Sequence, residues 1–270
     1  MYQKQLSIQH FLKPMRTLII AKNVFQEVVR DRILYVIGFY TLILAIAGRA
    51  LPEFSATNED KILLDFGIVA MSVITLIIAV FVGTGLLKKE IDKRTILVLI
   101  AKPVSRSEII AGKFLGLSAV LAVLIATMTA IYLGFLQLEN IPHPTLSIVI
   151  AAVFLFLQLS LINAVAITLG VFTNSLLAIT LTFAVYLMGN ITQDLVKLGR
   201  LSRNSTMEGI TQGMYLVLPD LSRLDLKNDA VYGMQALPDA GLLITNAGYG
   251  VLYSIFLLAI ASFVFSKREF

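Results

Sequence analysis

The sequence predicts an all-α, polytopic membrane protein with six transmembrane helices and an N-terminal amphipathic interface helix. Three observations carry this. The chain of 270 residues is 57% hydrophobic and only 14% charged, with a mean hydropathy of +0.85. Its apolar residues fall in runs of about 18 or more, the length that crosses roughly 30 Å of hydrocarbon at about 1.5 Å per residue. Those runs lack strict apolar/polar alternation. They therefore read as helices and not as strands of a closed barrel, the other structure that satisfies its own backbone in lipid.

The first element is an amphipathic helix over Met15–Arg32. Leu18, Ala21, Val24, Phe25, Val28 and Val29 form one face, and Lys22, Asn23, Gln26, Glu27, Arg30 and Asp31 the other. That is a 3.6-residue period with a sharp polar boundary. Such a helix is expected to lie along the inner membrane surface, with Lys22, Arg30 and Arg32 near anionic headgroups and Glu27 on the same polar edge. Residues 1–32 thus read as a cytoplasmic segment, and 33–270 as the transmembrane domain.

The spans follow at Ile33–Ala50, Leu64–Leu87, Phe114–Leu138, Leu146–Phe172, Ser175–Gln193 and Ala247–Phe265. The fourth and fifth are separated only by Thr173-Asn174-Ser175. About 48 residues are too many for one crossing, so a tight helical hairpin is expected there. Ala45-Ile46-Ala47 has the form of a signal-peptidase site, but the polar region before the first span is far longer than a signal peptide carries, so no cleavage is expected.

Between the second and third spans lies Lys88–Lys113, which holds seven of the 22 basic residues. Glu90–Ala101 fits a short helix, which Pro103 ends by disfavouring helical backbone at Lys102. Ser105-Arg106-Ser107-Glu108 then has the S-x-x-E form of a capping box, so a new helix starts at Arg106 and runs into the third span. A proline stop and a capping box so close together predict a rigid elbow that docks a soluble partner.

The segment 194–246 is too long for a simple connection. Ser205–Leu218 fits one helix stopped by Pro219. The segment is expected to cap an exit, to bind an extracytoplasmic partner or to cover the spans.

The basic residues set the orientation. The N-terminal segment (Lys4, Lys13, Arg16, Lys22, Arg30, Arg32), the elbow and the tail (Lys267, Arg268) together carry net +9 with their acids. The other connections carry net −4, completing the +5 of the chain. Basic loops stay in the cytoplasm, so both termini and the elbow are expected there, in a multi-pass protein of the plasma (inner) membrane. The pI of about 9.4 is then a topology signal and does not call for nucleic acid.

Catalytic chemistry finds no motif. There is no G-x-x-x-x-G-K-[ST], H-E-x-x-H or G-x-S-x-G. The chain has no cysteine and two histidines, His10 and His143, expected on opposite sides of the membrane, so no metal site is expected. A membrane-embedded enzyme would carry ionisable groups within its spans, and these interiors have almost none. Their polar residues are Gln158, Ser160, Asn163 and Thr168, with Thr180 and Thr182. Interhelical hydrogen bonding is the first role for these and pathway lining the second. Gly112-x-x-x-Gly116 reads as a close helix approach.

The run Glu90–Lys113 has the form E-x-x-x-R-T-x-x-x-L-x-A-K-P-V-S-R-x-E-x-x-x-G-K, which resembles the permease subunits of ABC-2 type transporters. The amphipathic N-terminal helix, the six spans and the closing Phe265-Ser266-Lys267-Arg268-Glu269 fit as well. Leu218-Pro219-Asp220-Leu221 with Val231-Tyr232-Gly233 resembles the branch that serves multicopper-enzyme and nitrous oxide reductase maturation. The resemblance implies a permease that couples ATP hydrolysis on a separate ATP-binding cassette subunit to export-like transport. ATP and Mg would sit on that subunit, with no cofactor in this chain, and a second permease copy would complete the complex, most simply as a homodimer. Glu90, Arg94, Pro103, Ser105, Arg106 and Glu108 are the expected coupling residues, their charges suited to charge-assisted bonds. A non-transporting anchor or mechanotransmission subunit is the alternative. The scattered methionines form no copper path.

Overall fold

The computed structural model describes the backbone of residues 2–54, 59–92, 105–202 and 205–267, and side chains within 17–30, 33–50, 61–85, 105–202 and 206–267. The long helices are α1 (Tyr2–Phe54), α2 (Glu59–Asp92), α3 (Arg106–Leu138), α4 (Thr145–Phe172), α5 (Ser175–Leu201) and α8 (Ala240–Lys267). Between α5 and α8 lie α6 (Ser205–Val217), a 3-10 turn (Leu221–Leu224) and the one-turn α7 (Lys227–Ala230). Among the described residues, six helices are long and apolar enough to span a bilayer, over Ile33–Ala50, Lys61–Gly85, Arg106–Leu138, Thr145–Phe172, Ser175–Leu201 and Ala240–Lys267.

Local chemistry sets the joints. α3 ends at Glu139, and Asn140 turns the chain with φ 56, a left-handed conformation that asparagine tolerates better than most residues. Between α4 and α5, Thr173 is extended and Asn174 caps the new helix, its Oδ1 accepting the Leu177 N–H at 3.0 Å. The expected hairpin break is there. Successive spans run in opposite directions. One end of the bundle therefore carries Arg106, Phe172 and Lys267, and is called here the basic end. The opposite end carries Leu138, Thr145 and the segment after α5.

α4 lies at the centre, packed by α2, α3, α5 and α8. Leu155, Leu159, Leu161, Ile162, Ala164 and Ile167 are all buried there. That follows from a sequence apolar all round, which only an enclosed helix or a membrane span tolerates. α1, α5 and α8 are outer helices with many exposed apolar side chains, such as Leu34, Phe39, Leu187 and Phe256.

The amphipathic segment is helical as expected, yet it is not a separate element. Met15–Arg32 lies inside α1, continuous with the first span over 53 residues, about 80 Å at the rise of an α-helix. Thr17, Ile20, Ala21 and Val24 pack on α3, while Leu18 and Ile19 are exposed. The reason lies in α3. A Cβ on Gly112 would meet the Ile20 side chain at 2.8 Å, and one on Gly116 would meet Ala21 O and Val24 at 2.7 Å. Two glycines four residues apart let the backbones approach, and this contact draws the segment alongside α3.

At the opposite end, Tyr40 and Tyr132 tie α1, α2 and α3 together. Tyr40 OH donates to Gly67 O at 3.1 Å and Tyr132 OH to Leu64 O at 2.7 Å. Both rings are fully buried, and each hydroxyl has the partner that burial requires.

Candidate functional site

Three features sit where function is expected: the start of α3 at the basic end, a set of polar residues along α4, and a folded-back segment at the other end.

The capping box is formed. Ser105 Oγ accepts the Glu108 N–H at 3.3 Å, and Glu108 Oε2 accepts the Ser105 N–H at 2.9 Å. Glu108 is buried in this arrangement, and two of the orphan donors at the helix start are satisfied. Arg106 turns away from the box. Its Nη1 donates to Phe265 O at 2.7 Å and Ser266 O at 3.0 Å, and its guanidinium lies 6.0 Å from the Phe265 ring centre. Ile110, Ile167, Val171, Ala261 and Phe265 form an apolar cluster beneath it. Lys113 is buried one turn beyond Ile110.

Of the other expected coupling residues, Glu90 lies in the last turns of α2 and its side chain is outside the described residues. Arg94 and Pro103, and with them most of the expected Glu90–Ala101 helix, lie outside the described residues altogether. Lys22, Glu27 and Arg30 are exposed on α1, and Arg32 is helical with its side chain outside the described set.

Along α4, Gln158, Asn163 and Thr168 reach different neighbours. Gln158 Nε2 donates to Asn190 Oδ1 of α5 at 3.0 Å and to Leu221 O at 3.3 Å. Asn163 Nδ2 donates to Phe114 O and Ser118 Oγ of α3, both at 3.3 Å. Thr168 Oγ1 bonds Ala164 O at 2.7 Å, its own helix, and lies 3.2 Å from Leu257 O of α8. These are the interhelical bonds expected of polar residues in spans. Thr180 and Thr182 bond back to their own helix at Leu176 O and Ala178 O. Gln158 Oε1, Ser160 Oγ and Asn163 Oδ1 are buried without a partner, unusual for buried polar atoms. Two recesses flank Phe156, of about 430 Å³ between α3 and α4 and about 210 Å³ between α3, α4 and α8, and both linings are mostly apolar. Among the described residues, no three His, Cys, Asp or Glu side chains gather as a metal site requires.

The sequence leaves open whether the segment after α6 caps an exit, binds a partner or covers the spans. α6 spans Ser205–Val217 as the proline stop predicts, and packs back along α5 with Thr211 against Gly199. The chain then folds into the bundle. Pro219 O and Leu221 pack on Gly189 of α5, where a Cβ would come within 2.7 Å of the carbonyl. Leu221, Leu224, Leu226 and Ala230 are buried, so residues 219–231 form a cap wedged between α2, α4, α5 and α8.

Asp220 organises this cap. It is 3% exposed and accepts from Gln193 Nε2 at 3.0 Å, Ser222 Oγ at 2.6 Å and Arg223 Nε at 3.0 Å. Its own N–H donates to Tyr249 OH of α8 at 2.8 Å. Arg223 also donates to Tyr215 OH at 2.8 Å and stacks 5.0 Å from the Tyr249 ring centre. The bonds to Asp220 and then Tyr215 raise the Arg223 pKa, against the smaller effect of burial. Lys227 is half-buried, which opposes its charge. Asp225, 3.0 Å away, and Tyr186 outweigh that, and its pKa is raised.

Sequence reasoning missed Gln193, Tyr215, Asp220, Arg223 and Tyr249. The available signal was Leu218, Leu221, Leu224, Leu226 and Val231 in a segment between spans, a density of apolar residues that needs cover.

A family model described as ABC-2 family transporter protein matches residues 18–270. Comparison with curated proteins finds no match.

Proposed function

The chain belongs to the ABC-2 family of transporter proteins, and on that premise we propose that it is a permease driven by a separate ATP-binding cassette subunit. The observation that carries this reading is the family match over residues 18–270, which includes the whole basic elbow. In this reading both termini and the elbow face the cytoplasm of the plasma (inner) membrane. The elbow, from Glu90 to Glu108, docks the ATPase subunit, where ATP and Mg bind. The polar edge of α1 around Lys22, Glu27, Arg30 and Arg32 borders the docking face. The stiff first turn of α3 suits this role, because a docking load on a capped helix start is passed on and not absorbed.

Two copies pair around a two-fold axis, since six helices are few for a shared pathway. Transport is export-like, and the cap at 219–231 lies on the outer side, over the polar residues of α4. The unmatched acceptors of Gln158 and Asn163 support pathway lining there, and their interhelical bonds support a structural role as well. The resemblance of Leu218-Pro219-Asp220-Leu221 supports the branch that matures multicopper enzymes. It also makes the outer segment, 194–246, the docking surface for an extracytoplasmic partner. The alternative is a subunit that moves no solute and passes only mechanical work across the membrane.

Reconstitution with the ATPase subunit tests the choice. A transporter shows ATP turnover stimulated by a transported solute and ATP-dependent movement of that solute. A mechanical subunit shows turnover without either.

A further inference from the structure

We propose that Arg106 is a positioning residue that fastens the elbow to α8, and that α8 carries elbow movement to the cap at the far end of the bundle. This rests on the docking role given to the elbow above. It differs in the part given to Arg106, which acts through α8 and not by direct contact with a partner.

The basic end supplies the first half of the argument. The capping box stiffens the turn at Ser105–Glu108. Arg106 leaves this turn and donates to Phe265 O at 2.7 Å and Ser266 O at 3.0 Å. Those carbonyls belong to the C-terminal turn of the described part of α8, which reaches Lys267. A guanidinium there is favourably placed against helix carbonyls and the negative end of the helix dipole. Ile110 and Phe265 pack in the same apolar cluster. The start of α3 therefore moves together with the end of α8.

The other end supplies the second half. α8 is a single helix of 28 residues with no proline, about 42 Å long at the α-helical rise. Toward its start, Tyr249 OH accepts the Asp220 N–H at 2.8 Å and Tyr253 OH donates to Val217 O at 3.0 Å. Leu224 closes on Gly250, where a Cβ would meet its Cδ1 at 3.0 Å. The two tyrosines are four residues apart and share one face of the helix. Among the described residues α3 itself does not touch the cap turn or α7. A shift or rotation of α8 must carry the cap or break these bonds, because packed interfaces switch between arrangements and do not deform continuously.

The test uses the full chain, which has no cysteine, in lipid nanodiscs. Leu224→Cys places one thiol at a fully buried cap position, and its rate of maleimide labelling reports cap opening. In that background R106Q raises the rate at least about fivefold, the low end of ordinary coupling between sites. R106K, a more compact donor that loses the planar fork, gives an intermediate rate. Tyr253→Phe, which frees Val217 O directly, labels faster and checks the reporter. A parent rate in R106Q or in R106K, with Tyr253→Phe fast, overturns the link. Co-purification with the ATPase subunit is scored in parallel. Loss of the subunit in R106Q with labelling unchanged makes Arg106 a direct docking residue, and overturns the link but not the docking role. Absence of the subunit from the parent chain overturns the docking role, while the labelling rates still decide the link.

Discussion

Gln158 and Leu221 meet at 3.3 Å, the amide of one donating to the carbonyl of the other. Gln158 stands near the middle of α4, and Leu221 belongs to a turn that enters the bundle after α6. Irregular backbone at membrane depth is tolerated where protein encloses it. Gln158 is part of that enclosure, since it accommodates a carbonyl of the 3-10 turn.

Gln158→Leu should therefore loosen the cap. The loss of two hydrogen bonds, each worth about 0.6–2 kcal/mol, is seen as a lower midpoint in detergent unfolding and faster thiol labelling at Leu224→Cys. Gln158→Glu should be worse, because a carboxylate would face Leu221 O and Asn190 Oδ1. Equal stability of the two variants would contradict the contact.

Asp220→Ala should destabilise the cap by about 1.5–3 kcal/mol, the range for hydrogen bonds to a charged group. The value stays moderate because the Arg223 side chain is 38% exposed and can be rehydrated. Asp220→Asn should fall between the parent and Asp220→Ala, since it keeps one acceptor. Unfolding midpoints of the three proteins check the order.

Gly116→Ala should cost about 1–3 kcal/mol or displace α1, as overpacking does, because its Cβ would meet Ala21 O and Val24 at 2.7 Å. Gly134→Ala meets nothing within 4 Å and should be neutral or stabilising by up to about 1 kcal/mol from helix propensity. A Gly116→Ala protein as stable as Gly134→Ala would remove the close approach of α1 and α3.

Much of this fold is legible in the sequence, and the reason differs by feature. The spans are long apolar runs, and the capping box is a local pattern whose four residues contain all its partners. The continuity of Met15–Arg32 with the first span is a different matter. Amphipathic periodicity says which face is apolar, and the direction of the helix is decided by Gly112 and Gly116, some 90 residues away. The cap is the extreme case. Asp220 takes its partners from α5, from its own turn and from α8, and no local pattern announces such a convergence. Arg106 was legible as a functional charge, and its attachment to the end of α8 was not.

The orientation has a direct check. Ser107 and Asn228 are both exposed, at opposite ends of the bundle. Ser107→Cys should resist an impermeant thiol reagent in intact cells and react after permeabilisation, while Asn228→Cys should react in both. The reverse pattern would invert the topology that the basic residues predict.

The most direct measurement of the central claim is binding of the ATP-binding cassette subunit to the elbow. Co-purification and permease-dependent ATP turnover are to be compared between the parent and the Glu90→Ala and Arg94→Glu variants. Removing one partner of an interfacial charge pair costs about 2–5 kcal/mol when the pair is buried. The account predicts that the variants keep the helical content of the parent and lose the subunit or its stimulated turnover. Undiminished binding and turnover in both variants would contradict it.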